Sequence, residues 1–218
     1  MNMCVVTAHA GADSLGAAIR SWVGIHPDSP DWVHHHGFAY LHTQPIVFVV
    51  DGKEGMLPAY QSAYMNTTPD IIAYLHDDTI INDSRWSTRV MKEFEDPEVG
   101  LVGFGGALAH GYPAMYKIPY EYKQLARASF MSNMVDAENH GKRFIGECNV
   151  AVLDGFALIV RREVLEKAGG WPLNTPIGYA CYDYWLSCMT RRLGYRIRLV
   201  GVACEHLGGQ TFVKLGIG

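Results

Sequence analysis

The residues best suited to chemistry in this 218-residue chain are carboxylates and imidazoles placed at the ends of apolar runs. His76, Asp77 and Asp78 follow Ile71–Leu75 directly. Asp51 closes the run that starts at Pro45, Asp183 opens an amphipathic stretch, and His206 stands near the end of the sequence. Carboxylates crowded at the tip of a buried strand suffer desolvation and mutual repulsion, and a bound divalent cation offsets both. Oxygen and imidazole donors suit Mn2+ or Mg2+ better than structural zinc, which favours thiolates. Such an ion would neutralise a diphosphate and act as a Lewis acid on a leaving group. Taken singly, the same residues have plainer readings: an acidic turn at Asp51 or His76–Asp78, an N-cap at Asp183, a loop histidine at His206.

The elements that must hold these groups alternate between strand and helix. Cys4–Val6 reads as a strand and His9–Ser14 as a loop, with Asp13 or Ser14 capping a helix that runs to Trp22. His26–Gln44 is rich in Pro and His and reads as an irregular connection, with His34, His35 and His36 as loop residues. Pro45–Gly52 and Ile71–Asp78 share one design, a buried strand with a carboxylate at its C-terminal tip. The helix expected over Met56–Met65 between them makes a βαβ unit and implies parallel pairing. A helix opened by Asn82 or Asp83 carries Trp86, Val90, Met91 and Phe94 on one face. Val99–Phe104 reads as a strand and Tyr120–Asn139 as helical. An apolar strand to Leu153 is interrupted at Asp154 and Gly155 and resumes over Phe156–Val160. Arg162–Ala168 is a short helix stopped by Gly169 and Gly170. A further helix spans Asp183–Leu193, and Tyr195–Val202 returns to strand. In open α/β sheets ligands bind beyond the carboxyl ends of the strands, which is where Asp51 and Asp78 fall.

Composition narrows the class. Apolar residues make up 49% and charged residues 18%, as in an ordinary folded protein, and the net charge of −4 gives no overall basic field for nucleic acid. No apolar run approaches the ~20 residues of a spanning helix. The start MNMCVV lacks the basic region of a signal peptide. Five scattered cysteines without a CxxC pair fit a reducing, cytoplasmic setting. The expected architecture is a single α/β, Rossmann-like domain over 1–218, with a mostly parallel central sheet flanked by helices.

The order of motifs resembles a GT-A-fold glycosyltransferase of the broad family-2 type. VVTAHAGADSLGAAIRSW resembles that family's first strand, nucleotide loop and helix, FVVDG its second-strand acid, and YLHDDT its DXD-type motif. LDGFALIVRREVLEKAGGWP resembles the acceptor-side segment, YDYWLSCMTRRLGYRI the helix carrying the catalytic acid, and EHLGGQT the late histidine motif. The resemblance spans Met3 to Thr211. It implies a nucleotide-sugar-binding half over 1–105 and an acceptor-binding and catalytic half over 106–218. It implies transfer of a sugar from a nucleotide diphosphate to an acceptor hydroxyl, with inversion, assisted by Mn2+ or Mg2+. Carried over residue by residue, it places Thr7, Ala8, His9, Asp51, His76 and Asp77 against the donor. Asp78 and His206 fall to the metal. Asp183 becomes the general base. Asp154, Gly155, Trp171 and Tyr179 shape the sugar and acceptor side. The acceptor stays open among a glycan, a lipid-linked sugar, a protein and a modified nucleic-acid base.

Three features depart from the family pattern: His9 in the first loop, His76 where an acid is usual, and Tyr182 in place of the first acid of the catalytic pair. A sugar nucleotidyltransferase would carry a GxGTR-like loop after the first strand, and HAGADSLG lacks it. A non-catalytic binding module would have no physical reason to keep Asp51, Asp78, Asp183 and His206. Arg191, Arg192, Arg196 and Arg198 form a modest basic cluster, read either as a solvated face with ion pairs or as a phosphate-tracking surface.

Overall fold

The computed structural model describes residues 1–9, 14–23, 32–35, 38–41, 45–108, 130–132, 142–143, 146–174 and 181–206. Tyr179 lies outside the described residues. Met3–His9 forms β1 and Leu15–Val23 α1. Trp32–His35 and Phe38–Leu41 are β2 and β3. Ile46–Asp51 is β4, Met56–Asn66 α2, Ile71–Leu75 β5, Thr79–Ile81 β6 and Trp86–Glu93 α3. Val99–Gly103 and Gly105–Ala107 are β7 and β8, and Phe130–Ser132 and Lys142–Arg143 are β9 and β10. Cys148–Asn149, Val152–Leu153 and Ala157–Arg161 are β11, β12 and β13. Arg162–Ala168 and Tyr182–Arg192 are α4 and α5, and Arg196–Leu199 and Cys204–His206 are β14 and β15.

Among these residues the main sheet has nine strands in the order β11-β14-β7-β13-β5-β1-β4-β3-β2. β1 pairs in parallel with both β4 and β5, and β14 in parallel with β7, while β13 lies antiparallel between β5 and β7. Most strands therefore run one way, as an α/β fold requires, with β13 reversed near the centre. The βαβ unit β4–α2–β5 is present, but its strands do not pair with each other: β1 sits between them. The unit fixes strand direction and leaves room for a strand from elsewhere.

β5 is buried at every residue, because helices cover both faces of the sheet. Ile71, Ala73 and Leu75 join Ile19, Trp22, Trp86 and Phe94 on one side. Ile72 and Tyr74 join Leu57, Tyr60, Leu165, Trp171 and Leu186 on the other. The Trp22 indole donates to the Thr79 carbonyl at 2.9 Å and the Trp86 indole to the Trp22 carbonyl at 3.1 Å, which ties α1 and α3 to the segment after β5. α4 ends at Gly169, whose φ of 83° is the left-handed C-cap that glycine adopts without a Cβ penalty.

Two local expectations give way. His26–Gln44 contains the hairpin β2–β3, and His34 and His35 belong to β2. β3 pairs with β4 from Phe38↔Val50 to Leu41↔Val47 and so meets the backbone groups β4 would otherwise leave open. Phe130–Ser132 is a strand paired with β8, within a stretch whose composition reads as helical; the ladder overrides local propensity. No helix among the described residues is long and apolar enough to cross a membrane.

Candidate active site

Register brings the chemistry together. β1 pairs with β4 at His9↔Asp51 and with β5 at Val6↔Tyr74, so Asp51, His9 and Asp77 follow one another across the carboxyl ends of three adjacent strands. His9 Nδ1 lies 2.9 Å from Asp77 Oδ2. Asp51 is more exposed, at 53% for its side chain. It accepts the Lys53 amide at 3.0 Å, and that hydrogen bond leads the effects holding its carboxyl below the usual range. Thr7 is fully buried beneath this edge, and its hydroxyl has no hydrogen-bond partner. Ala8 is half-buried.

The second cluster needs two antiparallel pairings. β13 begins beside the end of β5, at Ala157↔Leu75, and just before it the Phe156 carbonyl accepts the His76 amide at 3.0 Å. β15 pairs with β6 at His206↔Thr79. His206 Nε2 consequently lies 3.2 Å from His76 Nδ1 and 3.2 Å from Asp78 Oδ1. Among the described residues, His76, Asp78 and His206 are the group of His, Cys, Asp or Glu side chains able to converge on one ion, with their ligand atoms within 4.8 Å of one another. Asp78 is 7% exposed, and its Oδ1 is buried against the His206 ring nitrogen. Two ring nitrogens and a buried carboxylate oxygen gathered together make a donor set for a divalent cation. Separations of 3.2 Å suit neighbouring ligands on bonds of about 2.1 Å, which stand about 3 Å apart in octahedral geometry.

Electrostatics favour the metal-binding forms. Burial, followed by the charge of His206, pushes the His76 imidazole well below its ordinary pKa, so it is neutral. Burial raises the Asp78 carboxyl, but contact with His206 and the charge of His206 outweigh it and hold it below the usual carboxylate range. The Phe156 ring stacks on His206 with centroids 5.1 Å apart and planes 20° from parallel.

α5 supplies the third part. Asp183 lies in its first turn, and burial raises its carboxyl to about 6, helped by the charge of Asp154 and opposed by backbone hydrogen bonds at Tyr184 and Gly155. The Tyr184 amide donates to Asp183 Oδ1 at 2.7 Å. Asp154 closes its own turn by accepting the Phe156 amide at 3.3 Å. Trp171 is 3% exposed and packs edge-on against Tyr74, beside Tyr182 and Trp185.

Sequence reasoning missed two contributors. Tyr182 Oη lies 2.6 Å from His76 Nε2; the signal was its unusual place in the acid pair. Phe156 gave no signal, because an aromatic in an apolar run reads as core.

Residues 43–205 match the family described as Glycosyltransferase like family. The chain belongs to that family. The match includes Asp51, His76–Asp78, Asp154 and Asp183, and ends one residue before His206. No curated protein matches the sequence. Solved structures of GT-A glycosyltransferases resemble the fold of this glycosyltransferase-like chain. The mannosyltransferase PcManGT from Pyrobaculum calidifontis, in complex with GDP-Man and Mn2+, aligns with TM-score 0.55 and 16% identity over 99% of this chain and 60% of its own. GalNAc-T7 with UDP, GalNAc and Mn2+ aligns with TM-score 0.56 and 12% identity over 94% of this chain and 43% of its own. A crystal structure from STIV aligns with TM-score 0.54 and 13% identity, over 96% of this chain and 87% of its own. The chain thus spans less than two thirds of both named transferases.

In this glycosyltransferase-like chain the basic cluster is partly neutralised. Arg196 pairs with Asp96 and Glu98, and Arg198 with Glu93 at 2.8 Å, which fits the solvated-face reading.

Proposed function

We propose that this protein is a glycosyltransferase that moves a sugar from a nucleotide-diphosphate donor to an acceptor hydroxyl, with inversion. The observation that carries the reading is the convergence of His76 Nδ1, Asp78 Oδ1 and His206 Nε2 beyond the carboxyl ends of the strands, with the Asp78 oxygen buried. Family membership and the fold shared with transferases bound to GDP-Man and Mn2+ or to UDP, GalNAc and Mn2+ support it. Asp78, His76 and His206 would hold Mn2+ or Mg2+, and the ion, when bound, neutralises the donor diphosphate and stabilises it as a leaving group. His9, Asp77 and Asp51 line the strand ends for the nucleotide, above Thr7 and Ala8. Asp183 accepts the proton of the attacking hydroxyl. Its raised pKa suits that role: the carboxylate is ionised at neutral pH yet more basic than an exposed one. Asp154 and Gly155 border it on the acceptor side.

A screen of nucleotide-sugar turnover with and without Mn2+, repeated on Asp78→Ala and Asp183→Ala, tests this. Asp78→Ala loses metal-dependent donor binding. Asp183→Ala keeps donor binding and loses transfer by about 10²–10⁴-fold. Normal transfer by Asp183→Ala would remove the base assignment, and pyrophosphate as the product would replace the transferase reading with a nucleotidyltransferase.

A further inference from the structure

Tyr182 is the residue that departs from the family pattern at the start of α5, and its placement gives the departure a purpose. Its side chain is buried, at 6% exposure, and its hydroxyl meets His76 Nε2 at 2.6 Å. The ring is held by Tyr60 and Trp171, with centroids 6.0 and 6.4 Å away. Gly155 makes the approach possible: a Cβ there would lie 2.1 Å from the Tyr182 hydroxyl. A neutral imidazole carries its proton on one nitrogen, and the partner of one nitrogen decides what the other offers. The opposite nitrogen, Nδ1, faces His206 and Asp78.

We propose that Tyr182 is a positioning residue that accepts the Nε2–H of His76, fixing the tautomer and ring orientation in which Nδ1 presents a lone pair to a divalent cation. This rests on the metal reading of His76, Asp78 and His206. Partners of this kind on a ligand histidine govern metal affinity as well as geometry. Because Tyr182 precedes Asp183 on one helical turn, the same helix start that places the base also aligns a metal ligand. Gly155 is required for the space it leaves to the Tyr182 hydroxyl.

The test uses Tyr182→Phe, which keeps the ring in its aromatic contacts and removes only the hydroxyl, and Gly155→Ala, which displaces that hydroxyl from the opposite side. Mn2+ affinity is read from the free-ion electron paramagnetic resonance signal, and the His76 tautomer from ¹⁵N NMR of metal-free, histidine-labelled protein. The wild type is expected to carry the His76 proton on Nε2, and both variants to bind Mn2+ about 10–100-fold more weakly with a mixed tautomer. Equal Mn2+ affinity in wild type and Tyr182→Phe, or an unchanged His76 tautomer in that variant, overturns the role of Tyr182 and leaves the metal reading standing. A wild type that takes up no Mn2+ overturns the metal reading, and this inference with it.

Discussion

Asp183, the proposed general base, would trade stability for chemistry. Its folded pKa of about 6 lies above the ordinary carboxylate value of 3.8, so ionising it opposes folding. The native state is therefore favoured at low pH, and this contribution is lost as pH rises through about 6. Asp183→Asn is expected to raise stability at pH 7.5 by about 1–2 kcal/mol after allowance for solvent screening of a partly buried group, an increase in Tm of about 3–6 °C by differential scanning calorimetry. The same carboxylate must be ionised to accept a proton. Transfer by the wild type should fall about tenfold per pH unit below the folded pKa, measured as kcat/KM against pH. Two residues earlier, Cys181 holds φ at 76°, the left-handed region, immediately before α5. Cys181→Gly should relieve about 1 kcal/mol of backbone strain, partly offset by the greater entropy of glycine in the unfolded chain. Chemical denaturation would read a net change within ~0.5 kcal/mol, against the ~1 kcal/mol loss expected of Gly→Ala at a left-handed site such as Gly169.

At the scale of elements, α4 and α2 are joined by one cation. Arg162 donates to the Pro69 carbonyl at 2.8 Å, the Tyr64 carbonyl at 3.2 Å and the Thr67 hydroxyl at 2.8 Å, and its guanidinium lies over the Tyr64 ring. These contacts fix the turn that feeds β5, and so the height at which His76–Asp78 emerges. Arg162→Met leaves three acceptors without their donor, and a loss of about 2–4 kcal/mol in urea unfolding is expected. An unchanged midpoint would show that the turn is held by packing alone. The short pairing of β15 with β6 has a different task. It spans few residues and carries His206 to Thr79.

For the whole molecule, the candidate metal ligands join distant parts of the chain: His76 and His206 are 130 residues apart in sequence. A cation held by both binds only the folded state. At one hundred times its dissociation constant it adds about 2.7 kcal/mol to stability, a Tm increase of about 5–10 °C for a chain of this length. Asp78→Asn should abolish the increase produced by Mn2+ while leaving the metal-free Tm within a few degrees. An equal Mn2+ increase in both proteins would place the binding elsewhere.

The sequence by itself determined the strand–helix alternation and the candidate groups. Apolar runs such as Ile71–Leu75, buried on both faces, leave little freedom about where strands lie, and helix boundaries at α4 and α5 follow from Arg162, Gly169 and Gly194. It also marked Asp51, Asp78, Asp183 and His206, because charges at the ends of buried runs need a reason. Tertiary structure alone decided which strands are neighbours, and hence which of those groups meet. Inserting β1 between β4 and β5 aligned His9 with Asp51 and Asp77. Reversing β13 put Phe156 beside His76 and opened the place at Gly155 that Tyr182 fills. Periodicity records which face of an element is apolar; it holds no record of which ladder completes its backbone hydrogen bonds, and the His76–Asp78–His206 cluster depends on two such ladders.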